Sequence, residues 1–323
     1  MLRLTVTTPS DLTEAVTGIL SECEAVSTLS ISRGAALRPE GDVLHANVAR
    51  EAADAVINQL RDLGVHERGS VEIDSVATWI SRPGYEADVR TPGSSADAVV
   101  WPEVAQRSYE DTELNWTFLS FMTLATLLAA VAIVIDSQIL TIGAMVLGPE
   151  FGAIAALGLA LVRRRPLLLA AAVRALVVGF GVAIAATTAF GLALRGLGWA
   201  TTTTLSGPRP DTAFIYSPNK WSLIVAVLAA AAGVLSVTSG RTGGLNGVFI
   251  SVTTIPAAGN VALGLAFGAW GEVLGSGLQL IINVVGMGVA GCATLALQQA
   301  LRSRAPAPRS RLARHLQGGP PTS

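Results

Sequence analysis

The chain has 323 residues, of which 51 % are hydrophobic and 14 % charged, with a formal net charge of −1. That charge is a cancellation: residues 1–115 carry nine Lys+Arg against nineteen Asp+Glu, a net of −10, and residues 116–323 carry thirteen against four, a net of +9. An acidic soluble part therefore precedes a basic, apolar part. This division excludes a single water-soluble globule, and no nucleic-acid partner is expected.

The first twenty residues lack a basic start followed by an apolar core, so no cleavable signal peptide is expected. Cys23 and Cys292 fall in different parts of the chain, and neither a disulfide nor a metal site is expected of them. His45, His66 and His315 are scattered surface residues. No cofactor is expected.

Residues 1–82 read as one soluble domain. Leu2, Leu4 and Val6 alternate as a half-buried strand. Thr8 is placed to cap a helix, with Pro9 at its first position and Asp11 in its first turn. Leu12, Ala15, Val16, Ile19, Leu20 and Cys23 then form one apolar helical face. Leu29 and Ile31 mark a second strand, 34–42 a turn, and Leu44, Ala46 and Val48 a third strand. A second helix carries Ala53, Val56, Ile57, Leu60 and Leu63 and ends at Gly64. Val71 and Ile73 make a fourth strand, with Val76 at its end. The order βαββαβ is that of a ferredoxin-like α+β sandwich, a fold that proves no function by itself. Residues 83–115 are expected to be a Pro/Gly/Ser linker followed by a lead-in helix, with Trp101 and Trp116 as interface anchors.

Residues 116–300 contain six hydrophobic segments, near 116–135, 138–162, 166–194, 221–239, 244–268 and 272–300. A segment of about 20 apolar residues spans a bilayer, so an α-helical polytopic membrane domain is expected, with the lipid bilayer as its surroundings. Arg163 to Arg165, Arg241 and the arginines after span six fall on one side, which the positive-inside rule places in the cytoplasm. Both termini are then cytoplasmic, the location is the inner membrane, and the loop 196–220 lies outside. Residues 301–323, rich in Pro and Arg, read as a disordered basic tail.

The spans show an internal relation. Trp116-Thr117 opens span one and Trp221-Ser222 opens span four, 105 residues later. Ala155-Ala156-Leu157-Gly158-Leu159-Ala160 in span two matches Val261-Ala262-Leu263-Gly264-Leu265-Ala266 in span five, 106 residues later. Each run follows a break: Gly148-Pro149-Glu150 in span two, and 256–260 with Pro256, Gly259 and Asn260 in span five. Three spans per unit make the second repeat inverted, and paired broken helices in inverted repeats mark a transport site near mid-membrane. Alternatively, both prolines are kinks repaired by neighbouring helices.

The run Ile142-Gly143-Ala144-Met145-Val146-Leu147-Gly148-Pro149 carries a resemblance. Gly247-Val248-Phe249-Ile250, Pro256 and Leu280-Ile281-Ile282-Asn283 add to it. Over about 115–295 the chain resembles the family called domain of unknown function 389, integral membrane proteins of bacteria and archaea. The resemblance implies no activity. It implies an apolar residue after the first proline, where this chain has Glu150, so a role of Glu150 would belong to a branch of the family.

Ionisable groups inside spans are functional candidates. Glu150 lies about 18 Å and Arg174 about 12 Å from the cytoplasmic ends of adjacent spans at the helical rise, so a Glu150–Arg174 pair is expected, either structural or as a switch that trades Glu150 to a proton or cation. Asn260, Gln279 and Asn283 can serve a site or bond between helices. Glu272 is expected to be solvated, and Asp136-Ser137 to cap the turn between spans one and two. The candidate solute site is Gly148, Pro149, Glu150, Arg174, Pro256, Gly259, Asn260 and Asn283. Gly264, Gly268 and glycines 286, 288 and 291 favour close helix contact and a homo-oligomer. Two functions compete: a transporter or channel for a small solute or ion, and a ligand-sensing or scaffolding oligomeric membrane protein. An intramembrane enzyme has no catalytic pattern in the spans to support it.

Overall fold

The structure is a computed structural model that describes residues 1–93, 95, 98–203, 207, 209–215, 220–239 and 254–302. It divides into two compact units, Met1–Val104 and Ala105–Arg302. Arg241, the run 247–250, the first part of the fifth hydrophobic segment and the basic tail lie outside the described residues.

The first unit runs β1 (Leu2–Thr8), α1 (Thr13–Glu22), β2 (Val26–Leu37), β3 (Glu40–Val48), α2 (Arg50–Asp62), a single-turn α3 (Val65–Arg68) and β4 (Ser70–Ser75). The four strands lie in the order β2-β3-β1-β4, every neighbour antiparallel. This is the βαββαβ order read from the alternation, with α3 added. Leu2, Leu4, Val6, Leu44, Ala46 and Val48 face one side of the sheet, where Val16 and Leu20 of α1 and Val56, Ile57 and Leu60 of α2 cover them.

Two expectations change. Thr8 does not cap α1. It stays in the ladder opposite Asp42, and Pro9–Leu12 turns before the helix begins at Thr13. The chain from Gly34 to Asp42 is not one long turn. Strand β2 continues to Leu37 through an irregular register and β3 starts at Glu40. Asp42 explains part of this: its buried carboxylate accepts from Gly34 N at 2.7 Å and from Thr13 Oγ1 at 2.8 Å. It thereby ties the hairpin to the start of α1.

These donors, Gly34 first and then Thr13, hold the Asp42 carboxyl below the usual carboxylate range. A lowered native value contributes stability that is complete above the ordinary Asp value near pH 4 and is lost as pH falls through the native value. Acidification through that lowered native value is therefore expected to weaken the hold on the Gly34 amide, and Asp42→Ala, which removes the acceptor, to free the amide at neutral pH. Hydrogen exchange at Gly34 checks both; an Asp42→Ala protein with unchanged Gly34 protection would contradict the assignment.

The expected linker is partly helical: α4 (Arg82–Arg90) starts at Ser81, whose side chain accepts from Gly84 N, and has Pro83 in its first turn. Arg82 and Arg90 both pair with Glu86, one turn away. Helix α5 (Trp101–Asp111) follows.

The second unit is helical: α6 (Trp116–Val134), α7 (Gln138–Leu147), α8 (Glu150–Val162), α9 (Pro166–Gly196), α10 (Lys220–Ser239), α11 (Ile255–Phe267) and α12 (Trp270–Arg302). Asn115 caps α6 through Phe118 N, and Ser137 caps α7 through Leu140 N. Gly268, in the left-handed conformation, ends α11. Among the described residues three helices, α6, α9 and α12, are long and apolar enough to cross a membrane, and α7 with α8 would make a fourth as one bent span. Helix α6 packs on α9 and α10 on α12; α11 packs on α9 and α8 on α12; α8 packs on α9 and α11 on α12.

Candidate functional site

Helix α7 stops because Gly148 leaves the helical region and Pro149 has no N–H to continue the ladder. The chain bends by 56° and restarts at Glu150, whose carboxylate suits the first turn of a helix. Glu150 has no exposed surface and accepts from Thr254 Oγ1 at 2.6 Å. Thr254 immediately precedes α11, in whose first turn Pro256 is buried. A side chain at Gly148 would overlap the Glu150 carboxylate and meet Ile255 Cγ1 at 2.7 Å. The interruption after α7 and the start of α11 thus touch directly, and a side chain at Gly148 would have to displace Glu150 or Ile255.

A second polar cluster lies at the end of the bundle where α6 turns into α7 and α11 into α12. Arg209 reaches in from the chain between α9 and α10. Its Nη2 lies 3.0 Å from Glu272 Oε1, and its Nη1 donates to Asn260 Oδ1 at 3.3 Å. Asn260 Nδ2 donates to Glu272 Oε2 at 2.7 Å and to Ser276 Oγ at 2.8 Å. The Arg209 side chain is 4 % exposed and that of Glu272 19 %. Around this cluster, Ala200 and Ile215 pack with Leu263, Ala266 and Phe267 of α11. Arg195 Nη1 donates to Ala266 O, and Thr212 Oγ1 to Asp136 Oδ1 at 2.7 Å. Of the described residues between α9 and α10, Ala200, Arg209, Thr212 and Ile215 are buried against this end of the bundle and form its cover.

Three expectations are corrected here. Glu272 is only partly solvated, because a guanidinium from the cover pairs with it. Asn260 does not lie at a break but in the second turn of α11, facing that cover. Arg174 does not pair with Glu150. Ala172, Ala175, Leu176 and Gly179 form the buried face of α9, and Arg174 points the other way and is exposed. The helical period separates the two faces.

Of the remaining candidates, Gly259 lies where α11 crosses α6. A Cβ there would meet Ala129 Cβ at 3.1 Å and Ala130 N at 3.2 Å. Asn283 is fully buried on α12, one turn from the buried Gln279. Gly148, Pro149, Glu150 and Pro256 are brought together. Asn260 belongs to the separate Arg209 cluster, Gly259 to a helix crossing, and Arg174 to neither.

Sequence reasoning does not single out Thr254, Arg209 or Ser276. Arg209 has a signal: a cation in a segment expected outside, where basic residues are disfavoured. Thr254 and Ser276 have none, since a hydroxyl in an apolar run ordinarily bonds its own helix. Near the first break, the Asp111 side chain lies where a Gly152 Cβ would be. Burial pushes the Asp111 carboxyl up, opposed by Arg107 and reinforced by Glu110.

In the first unit, the sheet face opposite α1 and α2 holds a depression of about 450 Å³ lined by Arg3, Thr5, Ser30, His45, Asn47 and Asp74.

Apolar helices of this length, one pair of them interrupted around a buried carboxylate, are compatible with a membrane protein and suit a lipid bilayer environment. Residues 145–289 match the family described as Domain of unknown function (DUF389). Its match begins at Met145, inside the run Ile142–Pro149 on which the resemblance rests. No curated protein and no solved structure matches the chain.

Proposed function

We propose that the second unit is a transporter or channel for a small solute or ion, in an occluded state. One observation carries the reading: the interruption at Gly148–Glu150 meets the start of α11 around a fully buried carboxylate. A buried ionisable group beside an interrupted helix is costly and is typical of a solute or ion path. The exchange of partners also supports an inverted repeat, since a two-fold relation between α6-α8-α9 and α10-α11-α12 turns α6–α9 into α10–α12, α9–α11 into α8–α12 and α8–α9 into α11–α12. Six spans, cytoplasmic termini and a homo-oligomer in the inner membrane belong to the same reading. The cover held by Arg209 and Glu272 is then the outer closure.

Gly152 and Gly259 are packed against Asp111 and α6, so reporters there would disturb the fold. Thr254→Cys, in a protein without Cys23 and Cys292, is the better probe. Opening of the site predicts labelling by an impermeant maleimide from at least one side. Glu150→Gln is expected to abolish proton or cation flux into vesicles while the protein stays folded. Failure of Thr254→Cys to label in any condition, with unchanged flux in Glu150→Gln, would remove the proposal.

The open depression on the sheet favours a second reading, in which the first unit senses a small polar ligand and the helices anchor it. Ligand-induced protection of His45 and Asn47 amides without any flux would favour that reading.

A further inference from the structure

Arg174 is a cation on an apolar surface. Val173, Val177 and Val178 beside it are exposed, and among the described residues Arg174 makes no ion pair or hydrogen bond. None of the carboxylates of its own unit, Glu113 and Asp211 included, forms an ion pair with it. Glu150 is engaged by Thr254, Glu272 by Arg209, Asp136 by Thr212 and Glu110 by Gln106. Asp111 lies over Gly152.

The length of α9 fixes what remains. Its 31 residues extend about 46 Å, against about 30 Å for a hydrocarbon core. If the core starts at Pro166, Arg174 lies about 12 Å inside it; if the core ends at Gly196, Arg174 lies at its boundary. Any setting between these, or any tilt, brings it closer to the headgroups than the first limit. A long arginine side chain that snorkels toward that surface reaches the phosphate layer. Arg164 is exposed in the turn that precedes α9, so this end of the bundle also attracts negative headgroups.

We propose that Arg174 binds the phosphate of an anionic phospholipid in the leaflet on the Arg163–Arg165 side. The guanidinium fork takes two phosphate oxygens, and the acyl chains lie along Val173, Val177 and Val178. The inference rests on α9 spanning a bilayer and is independent of transport.

The test uses the full chain. Flotation with vesicles first establishes that the protein enters a bilayer; a chain that stays behind refutes the spanning reading itself. Native mass spectrometry then counts bound phosphatidylglycerol against phosphatidylcholine, with soluble glycerophosphate as a third arm. The natural protein is expected to prefer phosphatidylglycerol, and Arg174→Leu to lose that preference by about tenfold, the size of one charge-assisted hydrogen bond. Leucine suits a lipid-facing position, so the variant is expected to fold. Arg174→Lys keeps part of the preference, because it keeps the charge without the fork. Equal binding of both lipids, an unchanged preference in Arg174→Leu, or equal competition by glycerophosphate overturns the proposal. So does a change from oligomer to monomer in Arg174→Leu with lipid preference intact, which would place a second copy at Arg174.

Discussion

Glu272→Ala is expected to destabilise the helical unit by about 3 kcal/mol, the low end for breaking a buried ion pair. The cost comes less from the lost attraction than from what stays behind. Arg209, 4 % exposed, keeps its charge without the carboxylate, and Asn260 Nδ2 loses its shorter acceptor. The low end applies because the Glu272 side chain keeps 19 % of its surface in contact with solvent. Arg209→Met with Glu272→Leu removes both charges and is expected to recover most of the loss, since an apolar pair of similar volume avoids desolvation. Thermal unfolding of the natural protein, Arg209→Met, Glu272→Leu and the double variant in detergent completes the cycle. A Glu272→Ala protein as stable as the natural one would show that the cover is held by Ala200 and Ile215 and not by charge. Under the transport reading, the double variant is also expected to label faster from outside at Thr254→Cys, because the closure has lost its directional bonds.

The second large effect is expected at Gly259. Gly259→Leu would force its side chain against Ala129 Cβ, Ala130 N and Thr126 O, all between 3.1 and 3.2 Å from a Cβ at that position. Two of these are backbone atoms and cannot rotate away, so α11 and α6 must separate. Overpacking of this kind costs about 3 kcal/mol or more. Gly181→Leu is the matched control: it also lies in a helix, and a Cβ there meets nothing within 4 Å. It is expected to leave stability unchanged or raise it slightly through helix propensity. A melting temperature lowered equally in both variants would refute the close crossing.

The first unit was largely legible because a strand with one buried face has a period of two, and the helices that cover it have a period near 3.6. What alternation could not decide was where a strand yields to a turn. Thr8 has the right residue type for a cap, yet the ladder to β3 holds it extended, and Asp42 reaches across 29 residues to bond Thr13. In the second unit, Gly148-Pro149 was a legible break because Pro lacks a donor in any helix. Of the glycines expected to favour close helix contact, Gly264 and Gly291 do approach neighbours, whereas Gly268 faces open space and serves to end α11. The buried face of α9 was not legible, because Leu, Val and Ala surround the helix on all sides and an apolar helix carries no stripe to orient it. Depth alone therefore assigned Arg174 to the interior.

By itself the sequence determined the division into an acidic αβ unit and an apolar helical unit, the order of the strands, the break at Gly148–Glu150 and the family match of residues 145–289. These follow from local period, local backbone chemistry and motif. Only the tertiary structure decided which polar groups meet. Glu150 takes a hydroxyl 104 residues away, Glu272 takes a guanidinium from a segment without apolar period, and Arg174 turns outward. The physical reason is that a charge inside an apolar bundle accepts whichever partner the packing delivers, and packing is set by helix rotation, which an apolar sequence leaves undefined.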